Sequence, residues 1–325
     1  MFRFAISGIV ATAILTVNAT AQTQQIKPIY TASEAGAYHS SFCPPIPLAL
    51  ENAGFRGYTC TPSGGTPDNI AKVVANPRAL GFAQLDVLGR WALDNIEAAK
   101  KLVVILTLAC EGLWLVSQNK NMSAATFGQI VGGARRLQFA VANGGSRASF
   151  EFLQKIDPDG LGRAGNIRIV ENATAAIQSV ASGSADVGFF VQFVEPSNAN
   201  IQLLHERKLR VVPAVNHELV AATVAGAPVY QVQSFNLSGG NRLTATCTPA
   251  VIITGAPESI ADPDDANDQR ALLNRIKAAP DSAFLPKDGR FAGLISGSRS
   301  IPTSALKEML AAYDVAKKRA EAPAP

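Results

Sequence analysis

Short apolar segments alternate with amphipathic segments along the chain from residue 26 onward. The apolar runs Ala79–Gln84 and Leu102–Leu108 are typical of buried strands, whereas Pro67–Val74 and Val87–Ala99 have the apolar spacing of helices. This alternation predicts an α/β fold, with a mainly parallel sheet whose faces are covered by helices. The same pattern predicts strands at 26–31 and 56–61 and a helix within 45–52.

The alternation begins again after a further apolar segment, Leu113–Ser117. Predicted strands at Leu137–Val141 and Val187–Val191 enclose predicted helices at Ser149–Lys155 and Ala173–Ala181. Two successive units of this kind indicate two lobes in one chain. The remaining segments are predicted as a strand at 167–170, a helix at 124–131, a strand at 250–253, an acidic turn at 257–268 and helices near 269–278 and 304–319.

The first twenty-one residues have the layout of a secretory signal peptide. Arg3 is followed by an uncharged, mostly apolar run from Phe4 to Val17, and Ala19–Ala21 has the small-x-small pattern of a cleavage site. A membrane anchor is the weaker interpretation, because this run is short for a bilayer span. We therefore expect residues 1–21 to be removed and the mature chain to be exported.

Composition narrows the class of protein. With 47% hydrophobic residues, the 325-residue chain is expected to fold rather than to be disordered. Its net charge is only +4 and it has no block of basic residues, whereas a nucleic-acid partner requires a clustered cationic face. We therefore expect no nucleic-acid partner.

Export changes the interpretation of the four cysteines, Cys43, Cys60, Cys110 and Cys247. An even number in an oxidising compartment favours disulfides, and four cysteines allow three pairings. Cys43–Cys60 is the local choice, which closes a short loop worth about 3 kcal/mol, and it leaves Cys110 with Cys247. Buried free thiols are the alternative. A zinc site is disfavoured, since no CxxC or HxxxH spacing occurs, and we expect no metal.

Two glycine-containing loops lie between a predicted strand and a predicted helix. The first, Ser63–Asn69, offers Thr66 as an N-cap and Pro67 for the first helical position. The second, Asn143–Ser149, adds Arg147, whose guanidinium fits a carboxylate or phosphate. Helix N-termini favour anions, and ligands of open α/β sheets bind at the carboxyl ends of the strands. Each loop is therefore a candidate anion site, with an ordinary strand–helix turn as the alternative.

A third loop, Ala32–His39, follows the first predicted strand. Gly36 permits a tight turn, and Tyr38 and His39 are candidates to line a cleft. The sequence contains no GxSxG, P-loop or Rossmann glycine motif, so no residue is assigned a catalytic role and no cofactor is expected.

Several motifs gain meaning from their order: Gly36–Tyr38, Ser63–Gly65 with Asn69, Gly81–Asp86, Gly145–Ala148, Gly183–Phe190 and Thr248–Thr254. Together they resemble the TAXI family of solute-binding proteins that serve TRAP transporters. The resemblance covers most of residues 26–260. The sequence departs from the family at Cys43–Pro47, which interrupts an early helix, at Gly133–Arg136, and at Arg147, where the family has a small residue.

The resemblance implies the α/β, two-lobed type II periplasmic-binding-protein fold, with two mixed sheets flanked by helices and a two-strand hinge. Residues 26–111 plus 246–325 would form lobe 1, and residues 112–245 would form lobe 2. The chain would cross between lobes near Glu111–Gly112 and near Cys247. A Cys110–Cys247 disulfide would then join neighbouring crossing strands.

The implied function is that of a monomeric periplasmic protein, which captures a small carboxylate or amino acid for the membrane subunits of a TRAP-type transporter. The alternatives are an exported, dehydratase-like enzyme that uses Glu34 or Glu111 for acid–base chemistry, and a ligand-sensing partner of a histidine kinase. The ligand-binding residues implied are Tyr38, His39, Ser63, Gly65, Thr66, Asn69, Gln84, Ser146, Arg147 and Ser149.

Overall fold

The computed structural model describes residues 26–193, 198–214, 219, 221–224, 227–236 and 242–287. The predicted signal peptide at 1–21 and the predicted helix at 304–319 lie outside these ranges. The strands are β1 (Lys27–Tyr30), β2 (Tyr58–Thr61), β3 (Leu80–Gln84), β4 (Leu102–Gln118), β5 (Gln138–Ala142), β6 (Asn166–Val170), β7 (Val187–Phe193), β8 (Leu209–Val212), β9 (Thr223–Val224), β10 (Ala227–Pro228), β11 (Gln231–Asn236) and β12 (Arg242–Gly255). The helices are α1 (Pro45–Asn52), α2 (Thr66–Ala75), α3 (Leu85–Asp94), α4 (Ile96–Ala99), α5 (Phe127–Gly133), α6 (Gly145–Ile156), α7 (Ala173–Ala181), α8 (Ala199–Glu206) and α9 (Pro263–Ala278).

Two long strands, β4 and β12, lie at the centre of the sheet and connect its two halves. The strand order is β2-β1-β3-β12-β4-β7-β5-β6, with β11 beside β12 and β8 beside β4. β1 runs parallel to β2 and β3, and β5 runs parallel to β6 and β7. In the centre of the sheet, β12 runs antiparallel to both β3 and β4, and β4 also runs antiparallel to β7. The sheet is therefore mixed. The two sets of parallel strands, β1–β3 and β5–β7, form one hydrogen-bonded sheet, because β12 pairs with β3, β4 pairs with β7, and β4 and β12 pair with each other.

The central strands are buried on both faces. Trp114 lies in one hydrophobic cluster, and its neighbours Leu113 and Leu115 lie in the other. Phe189 and Phe190 of β7 are divided in the same way. Successive side chains of a strand point to opposite faces, so the near-continuous apolar runs of β4 and β7 fill two cores, one on each side of the sheet.

Both disulfides that the sequence favours are present. Cys43 is bonded to Cys60, which ties the segment before α1 to β2. Cys110 is bonded to Cys247, which links β4 to β12 diagonally, since Cys110 lies opposite Pro249 and Cys247 lies opposite Gly112. The second bond therefore lies within the pair of strands that joins the two sets, beside Glu111.

The described part of the chain has neither a membrane-spanning helix nor a cluster of metal-binding side chains. None of its helices is long and apolar enough to cross a membrane. It also contains no group of three or more His, Cys, Asp or Glu residues placed to hold a metal ion.

Candidate functional site

A cavity of about 360 Å³ lies where the carboxyl ends of β1, β3 and β7 approach β4. The starts of α2 and α6 also reach it, so both sets of strands contribute to its wall. The lining residues are Ala32, Ala35, Gly36, Ala37, Tyr38, Ser40, Ser41, Gly65, Thr66, Gln84, Glu111, Gly145, Ser146, Val191, Gln192, Phe193 and Asn198.

The starts of α2 and α6 face each other across the site. Each is preceded by a glycine with positive φ, Gly65 at +92° and Gly144 at +72°, and neither helix start has a side-chain cap. A Cβ placed on Gly65 would lie 3.9 Å from the Gly145 nitrogen, and one on Gly144 would lie 3.9 Å from the Gly64 oxygen. Two positive helix ends are therefore close together, an arrangement that favours an anion between them.

Each helix start also carries a hydroxyl that is held by the neighbouring strand. The Gln84 backbone N–H donates to Thr66 Oγ1 over 3.2 Å, and the Val191 N–H donates to Ser146 Oγ over 2.9 Å. Thr66 is the first residue of α2, with Gly65 in the N-cap position expected for Thr66. A hydroxyl that accepts from an N–H keeps its own hydrogen for donation. Both hydroxyls thus suit an acceptor such as a carboxylate.

Gln84 lies at the junction of the two helix starts. Its side chain is 4% exposed, and Oε1 has no hydrogen-bond partner in the described structure. A Cβ on Gly145 would overlap this oxygen, so the close approach requires glycine. A buried, unpaired carbonyl oxygen is costly unless a ligand supplies a donor.

Glu111 brings a carboxyl group into the cavity from the middle of β4. The Tyr38 hydroxyl donates to Glu111 Oε1, and both side chains are buried. Burial raises the pKa of the Glu111 carboxyl to about 8; the negative charge of Asp86 adds to this rise, and hydrogen bonds from Tyr38 and Gln84 oppose it. Burial also raises the pKa of the Tyr38 phenol well above its usual value. Glu111 is therefore largely protonated in the unliganded protein at neutral pH.

The Tyr38 ring is held by aromatic neighbours from both sets of strands. Its centroid lies 4.8 Å from that of Phe82 in β3 and 5.8 Å from that of Phe193 in β7. Phe193 in turn stacks on Phe42 at 4.6 Å. Such pairs fix the position of the phenol, and with it the orientation of Glu111.

Five of the residues proposed from the sequence line the cavity: Tyr38, Gly65, Thr66, Gln84 and Ser146. The other five lie outside its lining. The hydrogen bonds of each residue explain why its side chain does not line the cavity.

Three of these outer residues support the loops. His39 Nδ1 lies 3.0 Å from Thr31 Oγ1. The Ser63 hydroxyl donates to Asn69 Oδ1, and Asn69 Nδ2 donates to the backbone oxygens of Thr31 and Phe82. Asn69 is fully buried and therefore ties the end of β1 to β3 instead of contacting a ligand.

The remaining two lie on α6. Arg147 Nε donates to Glu151 Oε1 over 2.7 Å, and both side chains are about half exposed. This i,i+4 pair directs the guanidinium along the helix surface, so the structure does not bring it to the cavity. Ser149 is buried beside Asp86, where its hydroxyl helps to lower the pKa of a carboxyl that burial raises.

Glu111 lines the cavity but is not among the ligand-binding residues that the resemblance implied. The signal was present, because it is the one charged residue in the seventeen-residue strand Leu102–Gln118. A carboxyl in a strand buried on both faces is expensive, which marks the position as functional or closely paired. Glu34, the other carboxylate considered, is exposed.

Comparisons with known proteins support the fold. No protein-family model and no curated protein matches the chain. MatC from Rhodopseudomonas palustris, solved with bound malate, is similar with a TM-score of 0.50 and 13% identity, over 90% of this chain and 97% of MatC. The periplasmic binding protein BugD is similar with a TM-score of 0.50 and 11% identity, over 90% of this chain and 94% of BugD. The structure of a periplasmic transporter is similar with a TM-score of 0.50 and 13% identity, over 92% of this chain and 98% of the transporter protein.

At these identities the likeness concerns the fold. The chain has the mixed α/β, two-lobed fold of the type II periplasmic binding proteins, as the motif resemblance implied. Assignment to the TAXI group stays a prediction, as do the residue boundaries of the lobes.

Proposed function

We propose that this protein is a periplasmic solute-binding protein that captures a small organic anion between its lobes. The single observation that carries the proposal is the pair of facing helix starts at Thr66 and Gly145. Two uncapped helix N-termini this close repel each other, and an anion bound by both replaces that repulsion with attraction. The hydroxyls of Thr66 and Ser146 add two donors.

The lobes in this proposal are residues 26–111 with 246–325, and residues 112–245. Ligand binding is coupled to hinge closure, with the crossing strands β4 and β12 as the connection that moves least. The Cys110–Cys247 bond supports this role because it ties the two strands together beside the cavity. Tyr38 contacts aromatic rings from both sides, so its packing also depends on closure.

We further propose that the partner is the membrane part of a TRAP-type transporter and that the receptor is a monomer in the periplasm. The motif resemblance supports this partner, and the predicted signal peptide supports the location. Sensing through a histidine kinase is the alternative. Genes for TRAP membrane subunits beside this gene would support transport, whereas a kinase gene would support sensing.

The proposal is tested by thermal melting with a panel of organic acids and amino acids. A true ligand at about 100 times its Kd stabilises the folded protein by about 2.7 kcal/mol and raises Tm by several degrees. For such a ligand, Ser146→Ala should weaken binding about fivefold, since one hydrogen bond of about 1 kcal/mol is lost.

Ser259→Ala is the matched control, because the Ser259 hydroxyl donates to Ala256 away from the cavity. Equal affinity of both variants and the unsubstituted protein would contradict an anion site at the helix starts. Failure of every acid in the panel to raise Tm would contradict the proposed function as a whole.

An enzymatic role is the second candidate, and the buried Glu111 is the observation that favours it. A carboxyl with a pKa near 8 inside a cavity suits general acid–base chemistry at neutral pH. Conversion of a bound acid that Glu111→Gln abolishes would support this role. Recovery of the ligand unchanged after long incubation would support binding alone.

A further inference from the structure

Asp86 is a buried carboxyl that lies outside the lining of the cavity. It is the second residue of α3. Its Oδ1 accepts from the backbone N–H of Val87 over 2.8 Å, and its Oδ2 accepts from the Tyr230 hydroxyl over 3.0 Å. One oxygen therefore binds its own helix, whereas the other binds a residue 144 positions further along the chain.

Neutral groups surround the Asp86 carboxyl. Burial raises its pKa, and hydrogen bonds from Ser149, Val87, Tyr230 and Thr248 lower it. Each of these donors is a hydroxyl or a backbone N–H, so none brings a positive charge. Ser149 Oγ has no partner with the full geometry of a hydrogen bond in the described structure, so Tyr230 is the stronger donor of the two. A buried carboxyl without a positive charge among its donors depends on the hydrogen bonds that it accepts.

Tyr230 lies with the second set of strands. It directly precedes β11, which pairs with residues 242–247 of β12, whereas the first set pairs with residues 250–254 of that strand. The Tyr230 ring lies beside Phe152 of α6, with the two centroids 6.2 Å apart. A movement of α6 should therefore carry Tyr230 with it.

Asp86 lies with the first set. Helix α3 follows β3 directly, and the backbone N–H of Asp86 donates to Thr248 Oγ1 of β12 over 3.3 Å. This bond fixes the start of α3 to a central strand of the sheet. The hydrogen bond from Tyr230 to Asp86 thus crosses from one set of strands to the other, and between the two lobes of the proposed function.

We propose that Asp86 is the tie that holds the two lobes closed, through a hydrogen bond from Tyr230 that forms in the closed protein and breaks when α6 moves away. This inference rests on the hinge of the proposed function and adds the residue pair that sets the balance between open and closed forms. Asp86 is a positioning residue in this account. It acts on the cavity through α6, whose start carries Gly145 and Ser146.

The experiment measures closure by chemical crosslinking between α3 and α6. Asp94 of α3 and Lys155 of α6 suit this purpose, because both side chains are about half exposed and their charged atoms lie 4.0 Å apart. Asp94→Cys with Lys155→Cys gives a parent protein, which is treated with a short bifunctional methanethiosulfonate. All four native cysteines are in disulfides, so the two new thiols alone react.

Tyr230→Phe in this parent removes the donor and keeps the ring. Loss of a hydrogen bond to a charged group should shift the balance between closed and open forms about tenfold towards the open form. We expect crosslinking to slow by two- to tenfold, with the larger effect if the parent is mostly open. Ser149→Ala should slow it less, and this variant remains informative if Tyr230→Phe fails to fold.

Tyr58→Phe is the matched control, since Tyr58 is a buried tyrosine in the edge strand β2. We expect it to crosslink at the parent rate. Asp86→Ala supplies a second check, because it removes the acceptor. With Asp86→Ala already present, Tyr230→Phe should slow crosslinking no further.

The melting temperature separates a tie from a purely structural bond. A Tyr230→Phe protein that melts at a lower temperature but crosslinks at the parent rate would overturn the inference, because the bond would then stabilise both forms equally. The same conclusion would follow if Tyr230→Phe slowed crosslinking as much with Asp86→Ala as without it.

The acids of the melting panel test the proposed function separately. Each is added to the parent protein, and a ligand should accelerate crosslinking because it draws the helix starts together. If no acid did so, ligand-driven closure would be contradicted, whereas slower crosslinking of Tyr230→Phe would still support the tie at Asp86.

Discussion

The hydrogen on the Cα of Gly145 is what allows Gln84 to approach the start of α6. A methyl group there would overlap Gln84 Oε1, so Gly145→Ala must displace the amide from the cavity. We expect ligand affinity to fall at least tenfold, whereas the helix itself tolerates alanine better than glycine by up to about 1 kcal/mol. Calorimetric titration and thermal melting of the same variant separate the two effects.

Gly132→Ala is the control for that variant. Gly132 also lies in a helix, and a Cβ on it meets no atom within 4 Å. The Gly132→Ala variant should bind the ligand with the same affinity as the unsubstituted protein. Equal affinity for Gly145→Ala as well would show that Gln84 takes no part in binding.

Arg147 gives the opposite prediction. Its guanidinium is paired with Glu151 on the exposed face of α6, and pairs of this kind contribute only a few tenths of a kcal/mol. Arg147→Ala should therefore change ligand affinity by less than about twofold in a calorimetric titration. A tenfold loss would show that the side chain leaves Glu151 for the ligand.

At the scale of secondary structure, local signals located most elements. The helices observed at Pro45–Asn52 and Ala173–Ala181 have the same first and last residues as the segments predicted from the sequence. The helix predicted over Val87–Ala99 is interrupted at Asn95, which has φ −133° and divides it into α3 and α4. The acidic turn predicted after 257 contains the start of α9, where Asp262 caps the backbone nitrogens of Asp264 and Asp265.

The long strand β4 was harder to predict than the helices. Cys110, Glu111 and Gly112 interrupt its apolar run, so the sequence predicted a strand at Leu102–Leu108 and only a separate apolar segment at Leu113–Ser117, where the structure has one strand. Pairing with β12 and β7 holds these residues in the strand, and such tertiary pairing overrides local propensity. Glu111, within this interruption, is the residue of β4 that lines the cavity.

The Cys110–Cys247 bond should matter more to stability than Cys43–Cys60. Cys110 and Cys247 are 137 residues apart in the chain, and Cys43 and Cys60 are 17 apart. A disulfide that closes a longer loop removes more conformational entropy from the unfolded chain and so stabilises the folded state more. We expect the double substitution Cys110→Ala with Cys247→Ala to lower the free energy of unfolding by about 4–5 kcal/mol. Cys43→Ala with Cys60→Ala should cost about 3 kcal/mol. Denaturant unfolding of both variants measures the difference, and a larger loss for the local pair would contradict this order.

At the scale of the whole molecule, the sequence predicted the α/β class and the two candidate loops but not how they meet. The two helix starts are some eighty residues apart in the chain, and only the sheet order brings Gly65 and Gly145 near each other. Site geometry of this kind depends on long-range packing, which residue patterns do not encode one segment at a time. The Arg147–Glu151 pair, by contrast, has the local i,i+4 spacing of a helix pair, a signal that the sequence does contain.

Buried carboxyls give the unliganded protein a pH-dependent stability. The folded state raises the pKa of Glu111 from 4.5 to about 8, so it binds more protons than the unfolded chain between these values. Stability therefore falls as pH rises from about 5 to 8, and Asp86 acts in the same direction. Melting temperatures across this range should decline, and Glu111→Gln should flatten the decline. A Tm that rises over the range would contradict protonation of Glu111.

The most direct test of the central claim is one calorimetric comparison at pH 7. A carboxylate ligand found in the melting panel is titrated beside its amide, which keeps the shape and removes the negative charge. If the helix starts of α2 and α6 bind the anion, the amide should bind at least tenfold more weakly than the acid. Equal affinity for the acid and its amide would contradict the anion site.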